Sequence, residues 1–209
     1  MIAIIDYGVG NLFSLKSSLG AIGEEAVVTR DESVLDRADH IILPGVGAFG
    51  DAVQKLRDTG MFQAVLSQAA KGKPVLGICL GMQLLFEKSF EYGEHAGLGL
   101  IQGEVRDIRT VIPKNLAVPH MGWNGLHFPA DRPRSPIFAA LAEGEHVYFV
   151  HSFAGFNCKG QCTATTEYGA ELTAAVQNGN VYGTQFHPEK SGETGLKILK
   201  AFCRLEGNL

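Results

Sequence analysis

The sequence predicts an α/β fold, one domain built on a mixed, largely parallel sheet with helices on both faces, of the flavodoxin-like kind. Three observations carry this. Through the first half, short apolar runs alternate with segments of helical periodicity, the βαβα order of a parallel sheet. The 26 glycines among 209 residues suit a chain with many tight strand-to-helix turns. Asp6, Pro44-Gly45-Val46-Gly47 and Cys79 all fall at the carboxyl ends of predicted strands, where open α/β sheets place functional residues.

Met1–Asp6 opens with an apolar run that stops at an acid. It lacks a basic n-region and is too short for a signal peptide or membrane span, so it reads as the first buried strand. Asn11 can cap a helix through Leu12, Leu15, Leu19 and Ile22. Residues 25–29 are a second strand, followed by a short acidic helix from Asp31. Residues 40–43 are a third strand, ended by Pro44. Helices follow over 48–56 and 62–70, then a fourth strand over 75–78 and a helix through Phe86. The second half is richer in strands: 98–108, 147–153, 162–166, 172–177 and 181–185, the last two joined by an Asn178-Gly179 hairpin signal. The Pro-, Gly- and His-containing stretch 113–136 is expected as loop. A final helix covers about 193–205. The sequence has no repeat, low-complexity tract or linker, so residues 1–209 are expected to form one domain.

With 18 basic and 22 acidic residues the net charge is −4, against the basic face of a nucleic-acid binder. The cysteines are Cys79, Cys158, Cys162 and Cys203. A chain this long does not need disulfide staples, so reduced thiols and a cytoplasmic location are expected. Cys158 and Cys162 lack a second ligand pair for zinc and read as small residues at a strand entrance; Cys203 reads as helix core. No metal and no cofactor are expected.

Gly77-Ile78-Cys79-Leu80-Gly81 is the feature that points to chemistry. A strand, a glycine-flanked turn with one cysteine at its apex, and a helix make a nucleophile elbow with sulfur as the nucleophile. The helix N-terminus favours thiolate over thiol. His187, just past a predicted strand, is the base candidate, and Glu189 can orient it. His-x-Glu alone is a weak pattern; beside a cysteine elbow it is the favoured one. His151 reads as a core histidine, His120 as part of the loop, and His40, His95, His127 and His146 as surface. Pro44-Gly45-Val46-Gly47 by itself is a tight turn. Near an elbow it can add an oxyanion donor from Val46 or Gly47 to that of Leu80. Flanking glycines would let the Val46 peptide rotate.

On these residues the chain resembles the class I glutamine amidotransferases, and within them the glutaminase subunits of imidazole glycerol phosphate synthases. The similarity runs through residues 6–12, 44–49, 77–86, 119–124, 148–153 and 185–191. Phe153 stands where the family often has tyrosine. The resemblance implies a class I glutamine amidotransferase-like fold and glutamine hydrolysis through a thioester on Cys79, with His187 as base and Glu189 orienting it. Gly45, Gln83, Ser152 and Phe153 would hold glutamine. It also implies a separate cyclase polypeptide, a (β/α)8 barrel, that takes up ammonia in histidine biosynthesis. Asn11, Met121 and Trp123 would face that partner; for Asn11 and Trp123, helix capping and loop packing stand as alternatives. No nucleic-acid or membrane partner is expected. Rival readings are other class I glutaminases, a cysteine hydrolase or peptidase on the same elbow, and a pseudo-enzyme interaction module.

Overall fold

The computed structural model describes residues 1–207. Its centre is a seven-stranded sheet. Strands β1 (Ile2–Ile5), β2 (Ala26–Thr29), β3 (His40–Leu43) and β4 (Val75–Ile78) are mutually parallel. Counting onward, the others are β5 (Phe86–Ser89), β6 (His95–Ala96), β7 (Ile101–Asp107), β8 (His120–Gly125), β9 (His146–His151), β10 (Phe153–Phe156), β11 (Cys162–Glu167), β12 (Glu171–Asn178) and β13 (Val181–Thr184). The central order is β11-β12-β13-β4-β3-β1-β2, with β11 and β12 antiparallel and β13 parallel to β4. A four-stranded sheet (β10-β7-β5-β6) and the β8–β9 pair stand beside it.

The helices are α1 (Leu12–Ala21), α2 (Glu32–Arg37), α3 (Phe49–Asp58), α4 (Met61–Ala70), α5 (Leu80–Leu84) and α6 (Gly192–Phe202). The alternation of side chains along β1 sorts them into two layers. Ile2 and Ile4 pack with Leu15 and Leu19 of α1 and with Ile198, Leu199 and Phe202 of α6. Ala3 and Ile5 pack on the other face with Leu35 of α2, Phe49 and Leu56 of α3, and Val65 of α4. Every residue of β1, β3, β4 and β13 is buried, which is why these strands read as unbroken apolar or small-residue runs. Asn11 caps α1, its side chain accepting from Ser14 N at 3.2 Å, and Asp31 caps α2.

The second half departs from the sequence expectation at several points. The elbow helix stops at Leu84 and β5 follows at once. The amides of Leu98, Leu100 and Ile101 take up the carbonyls of Leu84 and Leu85, satisfying the helix end sideways. Gly97 permits this, since a Cβ there would overlap the Phe86 carbonyl. The stretch expected as loop over 113–136 contains β8, paired antiparallel with β9. The single strand expected over 147–153 is broken at Ser152 into β9 and β10, which join different sheets. The hairpin turn lies one residue later than its signal: Asn178 pairs with Val181, so Gly179-Asn180 is the loop, with Gly179 at φ +56°. Asn180 then ties the turn to the Ala69 and Lys73 carbonyls at 2.9 and 2.8 Å. His40, expected at the surface, is buried edge-on against Phe202, its Nε2 2.9 Å from the Leu205 carbonyl. Among the described residues no helix is long and apolar enough to cross a membrane.

Two glycine substitutions should behave oppositely. A Cβ on Gly81 would overlap the Leu43 carbonyl, whereas one on helical Gly20 meets nothing within 4 Å. Gly81→Ala is expected to destabilise by about 3 kcal/mol or more through overpacking. Gly20→Ala should stabilise by about 0.5–1 kcal/mol. Urea unfolding of the two variants checks both signs.

Candidate active site

Cys79 sits between β4 and α5 with φ +55° and ψ −111°, a conformation that a non-glycine residue adopts only under constraint. Its neighbours supply the constraint. Cys79 N–H donates to the Thr184 carbonyl at 2.7 Å, and its own carbonyl accepts from Gln83 N at 3.1 Å. Gly77 is needed because a Cβ would come within 2.7 Å of the Gly81 carbonyl and Met82 amide. Gly45 is needed because a Cβ would come within 2.8 Å of Gly81 N and the Tyr7 hydroxyl. Tyr7, buried beneath, donates to the Pro44 carbonyl at 2.8 Å, and burial raises its pKa. Leu80 N–H, in the first turn of α5, has no intrahelical acceptor and is available to the cavity in front of it.

The candidate base, His187, arrives from the other half of the chain. β13 is parallel to β4, so the residues following Thr184 emerge beside Cys79. The His187 backbone is clamped: its N–H donates to the Tyr148 carbonyl at 3.0 Å, and its carbonyl accepts from Ser191 Oγ at 2.6 Å. Ser191 Oγ in turn accepts from Tyr148 N at 3.0 Å. His187 Nδ1 lies 2.8 Å from Glu189 Oε1, both side chains almost fully buried. The carboxylate fixes the proton on Nδ1 and aims Nε2 at the sulfur. Burial alone would lower the imidazole pKa. The sulfur of Cys79 and the carboxylate of Glu189 outweigh it and raise the ring to about 9. At neutral pH the site is therefore set up as an imidazolium beside sulfur.

A cavity of about 370 Å³ opens in front of this pair. Val46, Gly47, Leu80 and Gln83 line it on one side, Ser152 and Phe153 on another. The Gln83 carboxamide is also part of the wall: Nε2 donates to the Phe153 carbonyl at 3.0 Å and to Gln185 Oε1 at 3.1 Å. Gly45 is packed behind the wall, and Glu189 stands behind His187. Three residues that the sequence reading did not single out, Gln185, Glu91 and Lys190, belong to the site, as does His151, which it read as a core histidine and which is buried but lines the cavity. Gln185 Nε2 lies 3.8 Å from Cys79 Sγ. Glu91 lines the cavity and accepts from Phe49 N at 2.6 Å; burial raises its carboxyl pKa. His151 and Lys190 also line it, with Pro119 and Val150. Gln185 and Lys190 flank the His-Pro-Glu and could have been found by proximity to it; no motif signals Glu91.

Met121 and Trp123 lie on β8 with 62% and 54% of their surface exposed, and Phe13 on α1 is exposed beyond Asn11. Trp123 is packed edge-on against Tyr148 and is not core. The four cysteines are free thiols, and the described residues contain no cluster of metal-ligating side chains.

Burial pushes the thiols of Cys162 and Cys203 up to about 12 and raises that of Cys158. Brief treatment with iodoacetamide at neutral pH should therefore label Cys79 alone, since thiolate is the reacting form. Peptide mass spectrometry reads the site; comparable labelling of any second cysteine would contradict the assignment.

The chain is similar to known proteins along nearly its whole length. Residues 3–205 match the family described as "Glutamine amidotransferase class-I". A protein of Caldanaerobacter subterraneus subsp. tengcongensis, "Imidazole glycerol phosphate synthase subunit HisH", is 49% identical over 203 residues, covering 97% of each chain. The Sulfurimonas denitrificans protein of the same name is 48% identical over 206 residues, covering 98% of each. Among solved structures, a glutamine amidotransferase superposes with a TM-score of 0.73 at 20% identity, covering 97% of this chain and 100% of its own. PurLQS from Thermotoga maritima superposes with 0.71 at 23%, covering 97% and 96%. The latter two carry the fold alone. The match across nearly the whole sequence shows that this chain belongs to the class I glutamine amidotransferase family.

Proposed function

We propose that the chain is the glutaminase subunit of an imidazole glycerol phosphate synthase, hydrolysing glutamine on Cys79 and passing the ammonia to a cyclase partner in histidine biosynthesis. The observation that carries the chemistry is the meeting of a strained, glycine-flanked Cys79 with a His187 held at 2.8 Å by buried Glu189. Support for the partner comes from the relatives named as synthase subunits.

In the first step Cys79 thiolate attacks the glutamine carboxamide carbon. The oxyanion is met by Leu80 N–H and a second donor from Val46 or Gly47. Protonated His187 gives its proton to the departing nitrogen, the C–N bond breaks, and ammonia leaves a glutamyl thioester. Neutral His187 then takes a proton from water, which attacks the thioester. Glutamate departs and Cys79 returns as thiolate beside protonated His187. Glu189 keeps Nδ1 occupied throughout, so that Nε2 handles each proton. The amino-acid head needs one anionic and one donor-bearing wall. Glu91 suits the ammonium of glutamine, and an ammonium would counter the burial that raises its carboxyl pKa. Backbone at Ser152–Phe153, held by Gln83, suits the carboxylate.

Met121 and Trp123 on β8 and Asn11 at the start of α1, with Phe13 beside it, are the residues proposed to face the partner; Phe13, Met121 and Trp123 are exposed large apolar side chains. Val46, between Gly45 and Gly47, is half-exposed, so a docked (β/α)8 cyclase could act on it. Val46 is flanked by Gly45 and by Gly47 at φ +100°, so the peptide carrying Val46 N–H can rotate at little steric cost and turn that N–H toward the oxyanion on docking. No cofactor enters the scheme.

Two outcomes test the proposal. Cys79→Ser should abolish glutamine-dependent formation of imidazole glycerol phosphate with the cyclase, while ammonium salts restore it; glutamine turnover near the wild-type rate would refute the nucleophile. Trp123→Ala should leave the fold intact and weaken cyclase binding by about 2 kcal/mol, as loss of a central aromatic anchor does. Isothermal titration checks this, and unchanged affinity would return Trp123 to a local packing role.

A further inference from the structure

His120 and His151 are buried rings that the hydrolysis scheme leaves without a task. They face each other in register on β8 and β9, and His120 Nδ1 lies 3.0 Å from His151 Nε2. Both outer nitrogens meet acceptors. His151 Nδ1 is 2.8 Å from the Phe153 carbonyl, and His120 Nε2 is 2.9 Å from Asn124 Oδ1. Asn124 is itself oriented, because its Nδ2 donates to the Glu167 carbonyl at 2.9 Å.

Proton counting sharpens the picture. Three links running between two terminal acceptors need three ring protons, and two neutral imidazoles carry two. A third proton would make the pair cationic. Burial opposes this, pushing His151 down to about 4 and His120 down as well, and protonated His187 adds to the opposition at His151. The other groups packed on the rings are Phe149 and Tyr168, whose centroids lie 5.0 and 4.0 Å from that of His120. Among the described residues no carboxylate hydrogen-bonds to either ring. The pair is thus neutral, and one link lacks its proton.

Where the vacancy falls is decided by exposure. With both rings protonated on Nε2, the bare Nδ1 of buried His151 would face the Phe153 carbonyl at hydrogen-bond distance. With protons on the two outer nitrogens, two lone pairs would meet 3.0 Å apart in the interior. With both on Nδ1, the vacancy moves to Asn124, which is half-buried, and Glu167, which is exposed; water or a turn of the amide relieves it there. We infer that His120 and His151 form a neutral two-ring proton chain, each ring protonated on Nδ1, that fixes the cavity-lining Ser152–Phe153 segment from the β8 strand. The Phe153 carbonyl then receives two donors, His151 Nδ1–H and Gln83 Nε2. Both histidines are positioning residues, and that role, unlike the proton chain, rests on the glutaminase proposal.

The direct test is a long-range proton–nitrogen spectrum of the full chain labelled with nitrogen-15 histidine, recorded near neutral pH. It is expected to show Nδ1 protonated and Nε2 bare on both rings. A doubly protonated ring, or protonation of His151 on Nε2, would overturn the chain. Asn124→Asp sets a charged acceptor at the vacant link and should draw in the third proton, giving a doubly protonated His120. Rings left unchanged in that folded variant would also overturn it. His151→Phe should raise KM for glutamine by about threefold to tenfold, the scale of one lost hydrogen bond, with a smaller change in kcat. An unchanged KM would refute the positioning role. A wild-type chain that does not turn over glutamine would instead sink the glutaminase proposal, and the spectra would still decide the proton chain.

Discussion

Glycines at positions 45, 77 and 81 let α5 press onto the ends of β3 and β4 with backbone touching backbone. The rest of the site depends on this approach. It forces the single residue between β4 and α5 into positive φ, so the Cys79 side chain stands out into the cavity rather than folding into the core. It also brings the Pro44–Gly47 turn against Leu80, so Val46, Gly47 and Leu80 line the same cavity as the Cys79 sulfur. Tyr7, from the end of β1, supports the same contact from below through the Pro44 carbonyl.

Sheet order does the remaining work. Cys79 belongs to the amino-terminal half and His187 to the carboxy-terminal half, separated by more than a hundred residues. Parallel pairing of β13 with β4 sets their carboxyl ends side by side, and the Thr184 carbonyl accepts the Cys79 N–H directly. The backbone of Tyr148 then holds the His187 loop through its carbonyl and, by way of Ser191, through its amide. Tyr148 is the cross-strand partner of Trp123. A protein docking on β8 would thus press on a strand pair that touches both the base loop and, through His151, the wall of the cavity.

The amino-terminal half was legible because β1, β3 and β4 are buried along their whole length and its first two helices announce their caps. The third and fourth strands fall on the predicted residues, and Asn11 and Asp31 cap as expected. The candidate pair Cys79 and His187 was legible because their neighbours are fixed by geometry: glycines at the elbow, and a carboxylate two residues from a histidine. The carboxy-terminal half was harder. β8 contains Gly122 and a half-exposed tryptophan and is stabilised by its pairing with β9, so no local pattern marks it. β5 looked like a continuation of the elbow helix because its end is dictated by residues 98–101, which are remote from it in the helical pattern. Glu91 and the His120–His151 contact are products of tertiary packing between segments whose sequences look ordinary. His40 was misplaced for a related reason: a polar ring at a strand entrance becomes buried only when the carboxy-terminal segment covers it.

The central claim is that the strained elbow makes Cys79 the residue that receives the acyl group of glutamine. An electrophilic glutamine analogue bearing a diazoketone in place of the carboxamide tests it directly, because it must occupy the amino-acid site before it can alkylate. The chain, assembled with its cyclase partner, should take up one equivalent, mapped by peptide mass spectrometry to Cys79, and glutamine should protect against it. Alkylation at another residue, or labelling that glutamine does not slow, would contradict the account.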